Sequence, residues 1–383
     1  MTVRHASLLM LLMSCGFLVV GQLYVTIPLV ADIAGRFGIT PANAVLSGSA
    51  FGFAYAAGFL IFGPLSDRYG RKRVILVGLI ATALATFLVG LAPNFAILLS
   101  ARAIQGFAAS TFPPAALSLV AEELPPQHRP LGVSLMSFAF LGAAPLAQFF
   151  AARSSGGLPI IMFELSPLYL IGAVGLFFAA KSGGNAQAVQ TRNPKSRLMQ
   201  LLRDPLVVSG WAAAITVLFG FVVFHAGAQA LGGGAGIDLQ TLRLVGLPPL
   251  LLAFAAAPTT RRFGPTLTAR LGLIIAASAL AVAAVGGAVA LTVASVFLSG
   301  GVALAVPGLI ATVAGRATNV NRGLALAIYS FCLFLGASFA PPITQSLVGF
   351  GLLPLWFLPA GLLLAAVIGI TATNRRPQNA TQH

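Results

Sequence analysis

The sequence has little charge and almost no acid. Only 8% of its 383 residues are Asp, Glu, Lys or Arg, and only 7 of them are acids, whereas a soluble domain carries about 25% charged residues. Hydrophobic residues make up 58% of the chain. A water-soluble globule of this size needs more polar surface than these residues supply, so the composition predicts a protein whose solvent is lipid.

Cysteine and histidine are also scarce, with 2 and 4 residues. Cys15 and Cys332 both lie in apolar runs, which excludes a disulfide framework and a metal site built on cysteine. The acids and histidines do not cluster within any apolar run, so a nucleophile with its base is also missing. The sequence therefore predicts a protein that is not an enzyme and that holds no metal or cofactor.

Long apolar runs occupy most of the chain. Each has about 20 residues, the length that an α-helix needs to cross a bilayer, and helices satisfy their own backbone hydrogen bonds in lipid. We therefore predict an all-α membrane protein of twelve transmembrane helices. The runs lie near 6–29, 43–64, 74–93, 95–120, 130–152, 158–180, 205–228, 238–258, 268–289, 291–313, 323–346 and 352–372.

The 22 Lys and Arg residues give a net charge of +15, but their positions indicate topology and not nucleic-acid binding. If the first run starts inside, the outer side receives only Arg36, Arg153 and Arg243, and Arg102 lies within a run. Cytoplasmic loops of membrane proteins are enriched in Lys and Arg. We therefore expect both termini in the cytoplasm, the lipid bilayer as the surroundings, and no nucleic acid as a partner.

The most polar stretch, residues 181–204, separates two sets of six runs. Residues 63–70 align with residues 257–264, and further segments align at nearly the same offset, so the halves are parallel repeats of one unit. Within the central stretch, 196–203 forms either a basic amphipathic helix on the membrane surface or a solvated tether. The expected organisation is an N-terminal six-helix bundle over 1–180, a cytoplasmic central loop over 181–204, a C-terminal six-helix bundle over 205–372 and a cytoplasmic tail over 373–383.

Two motifs carry a family resemblance. The loop after the second run, residues 63–73, reads GPLSDRYGRKR and resembles the loop 2–3 signature of the major facilitator superfamily, G-x-L-a-D-r-x-G-r-k. In the fourth run, residues 102–106 read RAIQG and resemble the R-x-x-q-G pattern of the proton-coupled branch. With the twelve runs and the central loop, the resemblance covers essentially the whole chain. It implies the major facilitator fold of two six-helix bundles.

The loop motif is interpreted as a conformational latch. Asp67 and Arg71 are four residues apart, so a helical turn would place them on one face. The resemblance implies that Asp67 helps to dock the two halves when the cytoplasmic side is closed. In the second repeat Arg261 replaces this acid. Alternatively, the basic residues of the loop only fix the orientation of the chain. The candidate latch residues are Gly63, Asp67, Arg68, Gly70, Arg71, Glu122 and Glu123.

Polar side chains within the apolar runs form a second candidate site. A guanidinium at the position of Arg102 costs about 2.5–3.5 kcal/mol, so it should face a cavity or a partner. It could lower the pKa of an acid such as Glu164, bind the substrate, or pack against carbonyls; Glu164 could also reach the outer interface. The other residues either line a substrate cavity or hold helices together. The candidate coupling and cavity residues are Arg102, Gln105, Gln22, Thr26, Tyr55, Glu164 and Arg243.

The resemblance implies a proton-coupled secondary transporter of a drug, sugar or metabolite that works by alternating access. The motifs are most like the drug and sugar:proton antiporter branch, so we expect a monomer that exports a small organic molecule across the bacterial inner (cytoplasmic) membrane. One motif departs from that branch. Its glycine-rich signature in the fifth run ends G-P-x-x-G-G, whereas residues 144–149 read APLAQF and keep only the proline. A proton-linked importer of a metabolite and a non-transporting sensor remain alternatives.

Overall fold

The computed structural model describes residues 2–180, 194–232, 236, 238–318 and 321–374. Part of the predicted central loop, 181–193, and most of the predicted tail, 375–383, lie outside this description, as do the side chains of Asp67, Pro130 and residues 194–197. Within the described ranges all regular structure is helical, which confirms the all-α prediction.

Helices α1 to α17 run over Val3–Gly21, Val30–Phe37, Pro41–Ala44, Leu46–Tyr69, Arg71–Gly90, Phe95–Ala109, Phe112–Glu123, Arg129–Ala151, Gly157–Ala179, Pro194–Leu202, Pro205–Leu231, Leu239–Val245, Ala253–Phe263, Pro265–Ala283, Gly287–Arg316, Arg322–Val348 and Leu352–Asn374. Short 3-10 helices lie at Ile27–Leu29, Pro126–His128 and Pro248–Leu252. In this described part, 12 helical segments are long and apolar enough to cross a membrane, and each overlaps a predicted run. The chain is therefore a multi-pass membrane protein.

In the described chain, three spans are interrupted by more than one residue outside the α-helix. Helix α6 ends at Ala109, before Pro113, and the segment between α12 and α13 is a 3-10 helix that starts at Pro248. Both breaks follow from proline, which has no backbone N–H and clashes with the preceding turn. The third break has no proline at its start: α1 ends at Gly21, and an irregular segment follows from Gln22. The apolar run at 6–29 does not predict it.

The helices form two bundles that meet at two contacts. In the first bundle α5 packs on α9 and α4 on α6, and in the second α14 packs on α15 and α11 on α16. Between the bundles α4 packs along α16, and α8 packs against α12 and α13. This is the twelve-helix major facilitator arrangement that the motifs predicted. The segment predicted as either helix or tether is helical, as α10.

The two ends of the spans differ in charge. We call the end at which α1 begins the basic face and the other end the opposite face. At the basic face, ion pairs such as the one between Arg316 and Asp204 connect neighbouring helices. The described basic residues at the basic face are Arg4, Arg68, Arg71, Lys72, Arg73, Arg129, Arg203, Arg261, Arg262, Arg270, Arg316 and Arg322.

Candidate functional site

Arg102 is the most deeply buried charge in the described chain, with 0% of its surface exposed. Its Nε donates to the carbonyl oxygen of Ser47 at 3.1 Å, and its Nη2 to that of Gln22 at 2.6 Å. Its Nη1 donates to Oε1 of Gln105 at 2.6 Å and to Oε1 of Gln22 at 3.3 Å. The guanidinium also lies over the ring of Phe51. None of these partners is a carboxylate, so neutral dipoles and one aromatic face stabilise the charge.

Arg102 and the backbone at the end of α1 satisfy each other's hydrogen-bonding groups. Because α1 stops at Gly21, the carbonyl of Gln22 lies in an irregular segment rather than in a helix. A backbone carbonyl in a membrane interior has no bulk water to bond and needs a protein donor. The Nη2 of Arg102 supplies that donor. The backbone carbonyl that the break in the first span leaves free is therefore bonded by a buried charge on another helix.

The network around Arg102 ties together five helices of the first bundle. Gln105 donates from Nε2 to the hydroxyl of Thr86 at 2.8 Å, and Gln22 donates from Nε2 to the hydroxyl of Tyr169 at 3.0 Å. Tyr169 in turn donates to the carbonyl of Leu18 at 2.8 Å. The sequence predicted Gln22 and Gln105 as members, but it missed Thr86 and Tyr169. Neutral polar residues in apolar runs give no signal that separates them from ordinary helix contacts.

The second bundle has a hydrogen bond equivalent to one in this network, but an uncharged residue makes it. Ser295 lies near the repeat position of Arg102, and its hydroxyl donates to the carbonyl of Leu242 at 3.0 Å. Leu242 lies near the repeat position of Ser47, whose carbonyl Arg102 binds. Both bundles therefore tie their fourth span to the backbone of their second span, and only the first bundle does so with a cation.

A cleft of about 300 Å³ lies between the bundles toward the opposite face. The segment after α1, helices α2 and α3, Val45 just before α4, and the ends of α11 and α16 surround it, and apolar side chains form most of its walls. Its polar lining residues are Thr26, Gln229 and Gln345, and none of the lining residues is charged. The sequence predicted Thr26 as a cavity residue and missed the two glutamines. The lining suits a small molecule that is largely apolar, with a few hydrogen-bonding groups.

Arg243 lies behind one wall of the cleft. It is buried, with 4% of its surface exposed, and its Nη2 donates to Oε1 of Gln229 at 2.6 Å. His225 lies one turn before Gln229 on α11 and is buried against the rings of Phe221 and Phe224. Arg243 belongs to the second bundle, so it is separate from the Arg102 network. Through its bond to Gln229, which lines the cleft, the charge of Arg243 could act on a molecule bound there.

A seam between α4 and α16 closes the space between the cleft and the basic face. The hydroxyl of Ser49 donates to the carbonyl of Ser338 at 2.7 Å. Gly52 lies so close to α16 that a Cβ there would overlap Oγ of Ser338. Nearer the basic face, a Cβ at Gly63 would lie 3.7 Å from that of Ala327, an ordinary contact. The seam therefore extends along most of α4 and is tightest at Gly52.

Tyr55 lies in this seam and not in the lining of the cleft. Its ring is buried against Phe51, Phe59 and Phe334, with centroid distances of 5.4, 4.9 and 4.8 Å. Among the described residues its hydroxyl has no hydrogen-bond partner. Phe334 belongs to α16, so Tyr55 contacts both bundles. Its environment changes whenever the seam opens.

Two of the acidic latch candidates, Glu122 and Glu123, lie at the basic face and are paired with arginines of their own bundle. Arg71 forms an ion pair with Glu122, and Arg4 forms one with Glu123. The first pair is partly exposed, with 27% of the Arg71 side chain and 45% of the Glu122 side chain accessible. An exposed pair contributes about 0–1 kcal/mol, so it can break and reform readily. The sequence predicted Glu122, Glu123 and Arg71 but did not identify Arg4.

The loop of the latch is a tight turn between α4 and α5. Gly70 has a φ of +91°, a conformation that favours glycine, and it separates Tyr69 from the first residue of α5. Arg68 is exposed, with its guanidinium over the ring of Tyr69. Asp67 lies in the last turn of α4, and its side chain is outside the described part of the structure. Because the helix breaks at Gly70, Asp67 and Arg71 belong to different helices and do not share one helical turn as the sequence suggested. The docking role of Asp67 stays a prediction.

Glu164 is the predicted cavity residue that lies apart from the others. It is exposed on the surface of α9, whereas Ser166, two residues later, is buried and donates to the carbonyl of Ala83. The hydrogen-bond partners of Arg102 do not include Glu164. The structure therefore does not bring together the two groups whose coupling the sequence suggested.

Comparisons with known proteins agree with this arrangement. The family model described as Major Facilitator Superfamily matches residues 12–242. Multidrug resistance protein D of Escherichia coli is 27% identical over 265 residues, which cover 66% of both chains. Quinolone resistance protein NorA of Staphylococcus aureus is 26% identical over 42% of this chain and 40% of its own. The MFS-type transporter YybF of Bacillus subtilis is 33% identical over 30% of this chain and 28% of its own. The chain thus matches less than two thirds of the length of each relative.

Proposed function

Because the chain belongs to the major facilitator superfamily, we propose that it is a secondary transporter that exports a small organic molecule in exchange for protons by alternating access. The observation that supports this most directly is the cleft between the two bundles, with the α4–α16 seam closed on the side of the basic face. Two bundles that meet at two contacts can expose a central site to either side by rocking. The names of two relatives, which refer to multidrug and quinolone resistance, favour export of a drug-like molecule.

The proposal includes an orientation and an organisation. The basic face is cytoplasmic, since Lys and Arg accumulate on that side of membrane proteins, and the bacterial relatives favour the inner membrane. Both termini then lie in the cytoplasm. The transport unit is a monomer made of the bundle over 1–180, the central loop over 181–204 and the bundle over 205–372, with the tail over 373–383.

The lining of the cleft narrows the class of substrate. A cationic molecule would find no carboxylate among the lining residues, which are apolar apart from Thr26, Gln229 and Gln345. A neutral amphiphilic molecule could pair its polar groups with the two amides and bury the rest. An anion could be attracted by Arg243 behind Gln229. Neutral and weakly anionic molecules are therefore favoured over cations.

A proton-linked importer is the second candidate, and the fifth span favours it. The antiporter signature of that span is reduced to Pro145, which lies inside α8 without ending it. Gln148 stands where the antiporter pattern has the first glycine of its final pair, and its Nε2 donates to the carbonyl of Ala144. The glycines that would loosen this helix in antiporters are absent from residues 144–149.

Transport by purified protein in sealed vesicles tests both candidates. Neutral, anionic and cationic drug-like molecules are presented under a pH gradient of either sign. If the protein is the proposed exporter, vesicles accumulate a neutral or anionic molecule only when protons flow in the direction opposite to the molecule. If it is a proton-linked importer, they accumulate it only when protons flow in the same direction as the molecule. Equal substrate fluxes under pH gradients of opposite sign would refute proton coupling.

The orientation can be tested at the two ends of one span. Gln127 and Ser155 are exposed residues on either side of α8, at the basic and opposite faces. In a background in which Cys15 and Cys332 are replaced by serine, Ser155→Cys should react with an impermeant maleimide added to intact cells. Gln127→Cys should react only after the cells are permeabilised. The reverse pattern would place the basic face outside and overturn the proposed orientation.

Removing the acid of the latch should slow transport without preventing membrane insertion. Asp67→Asn keeps the volume of the side chain but removes the charge that Arg71 and the second bundle could bind. We expect a loss of about tenfold or more in transport rate, which corresponds to about 1.4 kcal/mol in the rate-limiting step. Arg261→Gln, at the repeat position of Asp67, is the matched control and should retain most activity. Equal losses in the two variants would indicate that the loop only sets orientation.

A further inference from the structure

A second depression lies away from the seam, at the basic face of the second bundle. It is a groove of about 500 Å³ between α10, the start of α11 and the end of α17. Pro205, Val208 and Ala212 form an apolar stripe along one side of α11, because positions three and four residues apart share a helix face. The stripe extends from the basic face toward the middle of the bilayer for about 10 Å, at about 1.5 Å per residue.

The mouth of the groove carries an unbalanced positive charge. Arg203 lines the groove and is exposed, and among the described residues it makes no hydrogen bond or ion pair. The neighbouring acid, Asp204, is already engaged: Arg316 donates to it at 2.9 Å, and its other carboxylate oxygen caps α11 by accepting from Leu206 and Val207. Since Asp204 is neutralised by Arg316, Arg203 remains available to an external anion.

Apolar side chains surround this charge on the surface. Met199 and Leu202 of α10 expose 54% and 48% of their surface, and Val208 exposes 38%. The polar groups inside the groove are already satisfied, since the hydroxyl of Ser209 lies 3.0 Å from both the carbonyl of Leu206 and the hydroxyl of Thr373. Within the part of the chain that the structure describes, the groove therefore has the unpaired Arg203 at its mouth and an apolar wall below it.

We propose that this groove is a binding site for one anionic phospholipid of the leaflet at the basic face. The phosphate binds Arg203, whose planar guanidinium suits a phosphate, and one acyl chain lies along the stripe of α11. The apolar side chains exposed on α10 sit in the headgroup region, as expected of an amphipathic helix at a membrane surface. A bound lipid would connect α10, which follows the central loop, to α11 and α17.

Lipid binding can be measured on the full-length protein in a neutral detergent. Native mass spectrometry counts bound phosphatidylglycerol and phosphatidylcholine of identical acyl chains, and thermal denaturation with the same lipids follows stabilisation. The groove variants are Arg203→Gln, which removes the cation, and Ala212→Phe, which fills the apolar stripe at an exposed position. Arg262→Gln is the control, because Arg262 is an exposed arginine at the same face on α13, outside the groove.

The proposal expects the wild type to prefer phosphatidylglycerol. Arg203→Gln should weaken that binding by about fivefold, the contribution of about one basic residue at an anionic surface, while Arg262→Gln should leave it unchanged. Ala212→Phe should reduce the binding of both lipids, since it blocks the acyl chain. Equal binding of the two lipids, or equal losses in the two arginine variants, would overturn the proposal. Stabilisation by inorganic phosphate alone, equal to that by lipid, would also overturn it, since it would show a free-anion site.

Discussion

Replacing Arg102 by alanine should abolish transport and lower the thermal stability of the protein. The change leaves the carbonyl oxygens of Ser47 and Gln22 and the side chain of Gln105 without their donor in a buried environment. Each buried group left unpaired costs about 1–3 kcal/mol. We expect transport below about a tenth of the wild-type rate, a fall that about 1.4 kcal/mol in the barrier would produce. Vesicle transport and thermal denaturation of the purified variant measure the two effects.

The conservative variant separates a positioning role of Arg102 from direct substrate binding. The guanidinium has five N–H groups, and protein acceptors already take four hydrogen bonds from it, which leaves little for a substrate. Lysine keeps the charge but concentrates its donors on one atom, so it cannot reach all these acceptors. Arg102→Lys should therefore retain substrate binding with reduced stability and slower transport. Loss of binding in this variant would indicate direct contact with the substrate.

The repeat supplies a matched control for both variants. Ser295→Ala removes the equivalent tie to Leu242 in the second bundle, but it removes one neutral hydrogen bond and no charge. A typical neutral hydrogen bond contributes about 0.5–1.5 kcal/mol, so the variant should be mildly destabilised and active. Wild-type transport and an unchanged pH profile in Arg102→Ala would show that the network is packing without a role in transport.

A valine at Gly52 should also stop transport, by forcing the seam apart. Its Cβ would overlap Oγ of Ser338 and approach Cδ1 of Leu23 at 3.0 Å. Overpacking of a well-packed contact costs about 1–3 kcal/mol, and here the strain falls between the two bundles. The states in which α4 and α16 are in contact would therefore lose population. We expect a loss of transport of about tenfold, the factor that about 1.4 kcal/mol gives, at normal levels of protein in the membrane.

Two further variants show whether the effect comes from the seam. Gly63→Ala also adds a methyl group to α4, but its Cβ meets Ala327 at 3.7 Å and should be tolerated. Exchanging the two residues, Gly52→Ser together with Ser338→Gly, moves the side chain to the other helix and should restore part of the transport that Gly52→Ser alone loses. Equal activity of Gly52→Val and Gly63→Ala would argue against a tight seam as a condition for transport.

The sequence was sufficient for the spans because hydropathy reports directly on lipid as the solvent. It was not sufficient for the end of α1, since a run of apolar residues does not show that the carbonyl of Gln22 bonds to Arg102 instead of continuing a helix. The turn at 63–73 explains why a glycine stands at position 70, since glycine readily adopts its φ, although the motif alone did not show that the turn separates Asp67 from Arg71. Local backbone chemistry is visible in a single sequence, whereas a hydrogen bond between distant helices is not.

The candidate site was predicted only in part, for a related reason. Helices that are apolar on all sides have no polar stripe to show which side faces a neighbour. The sequence thus placed Thr26 and Glu164 in one set, although Thr26 lines the cleft and Glu164 lies on the exposed surface of α9. Gln229 and Gln345 were missed because a lone amide in an apolar span is more often a contact between helices than a ligand group.

The burial of Arg102 has a consequence for the response to membrane voltage. Its bonds to Ser47 on α4 and to Gln22 just after α1 fix the charge to the first bundle, so it would move with that bundle if the two bundles rock. A full charge that crosses the whole field at 100 mV changes the energy by about 2.3 kcal/mol. Rocking by about 3 Å in a hydrocarbon core of about 30 Å moves the guanidinium through about a tenth of that field. The resulting 0.2 kcal/mol, a tenth of about 2.3 kcal/mol, is smaller than thermal energy. Arg102 itself would therefore contribute little to any electrogenic behaviour of the protein.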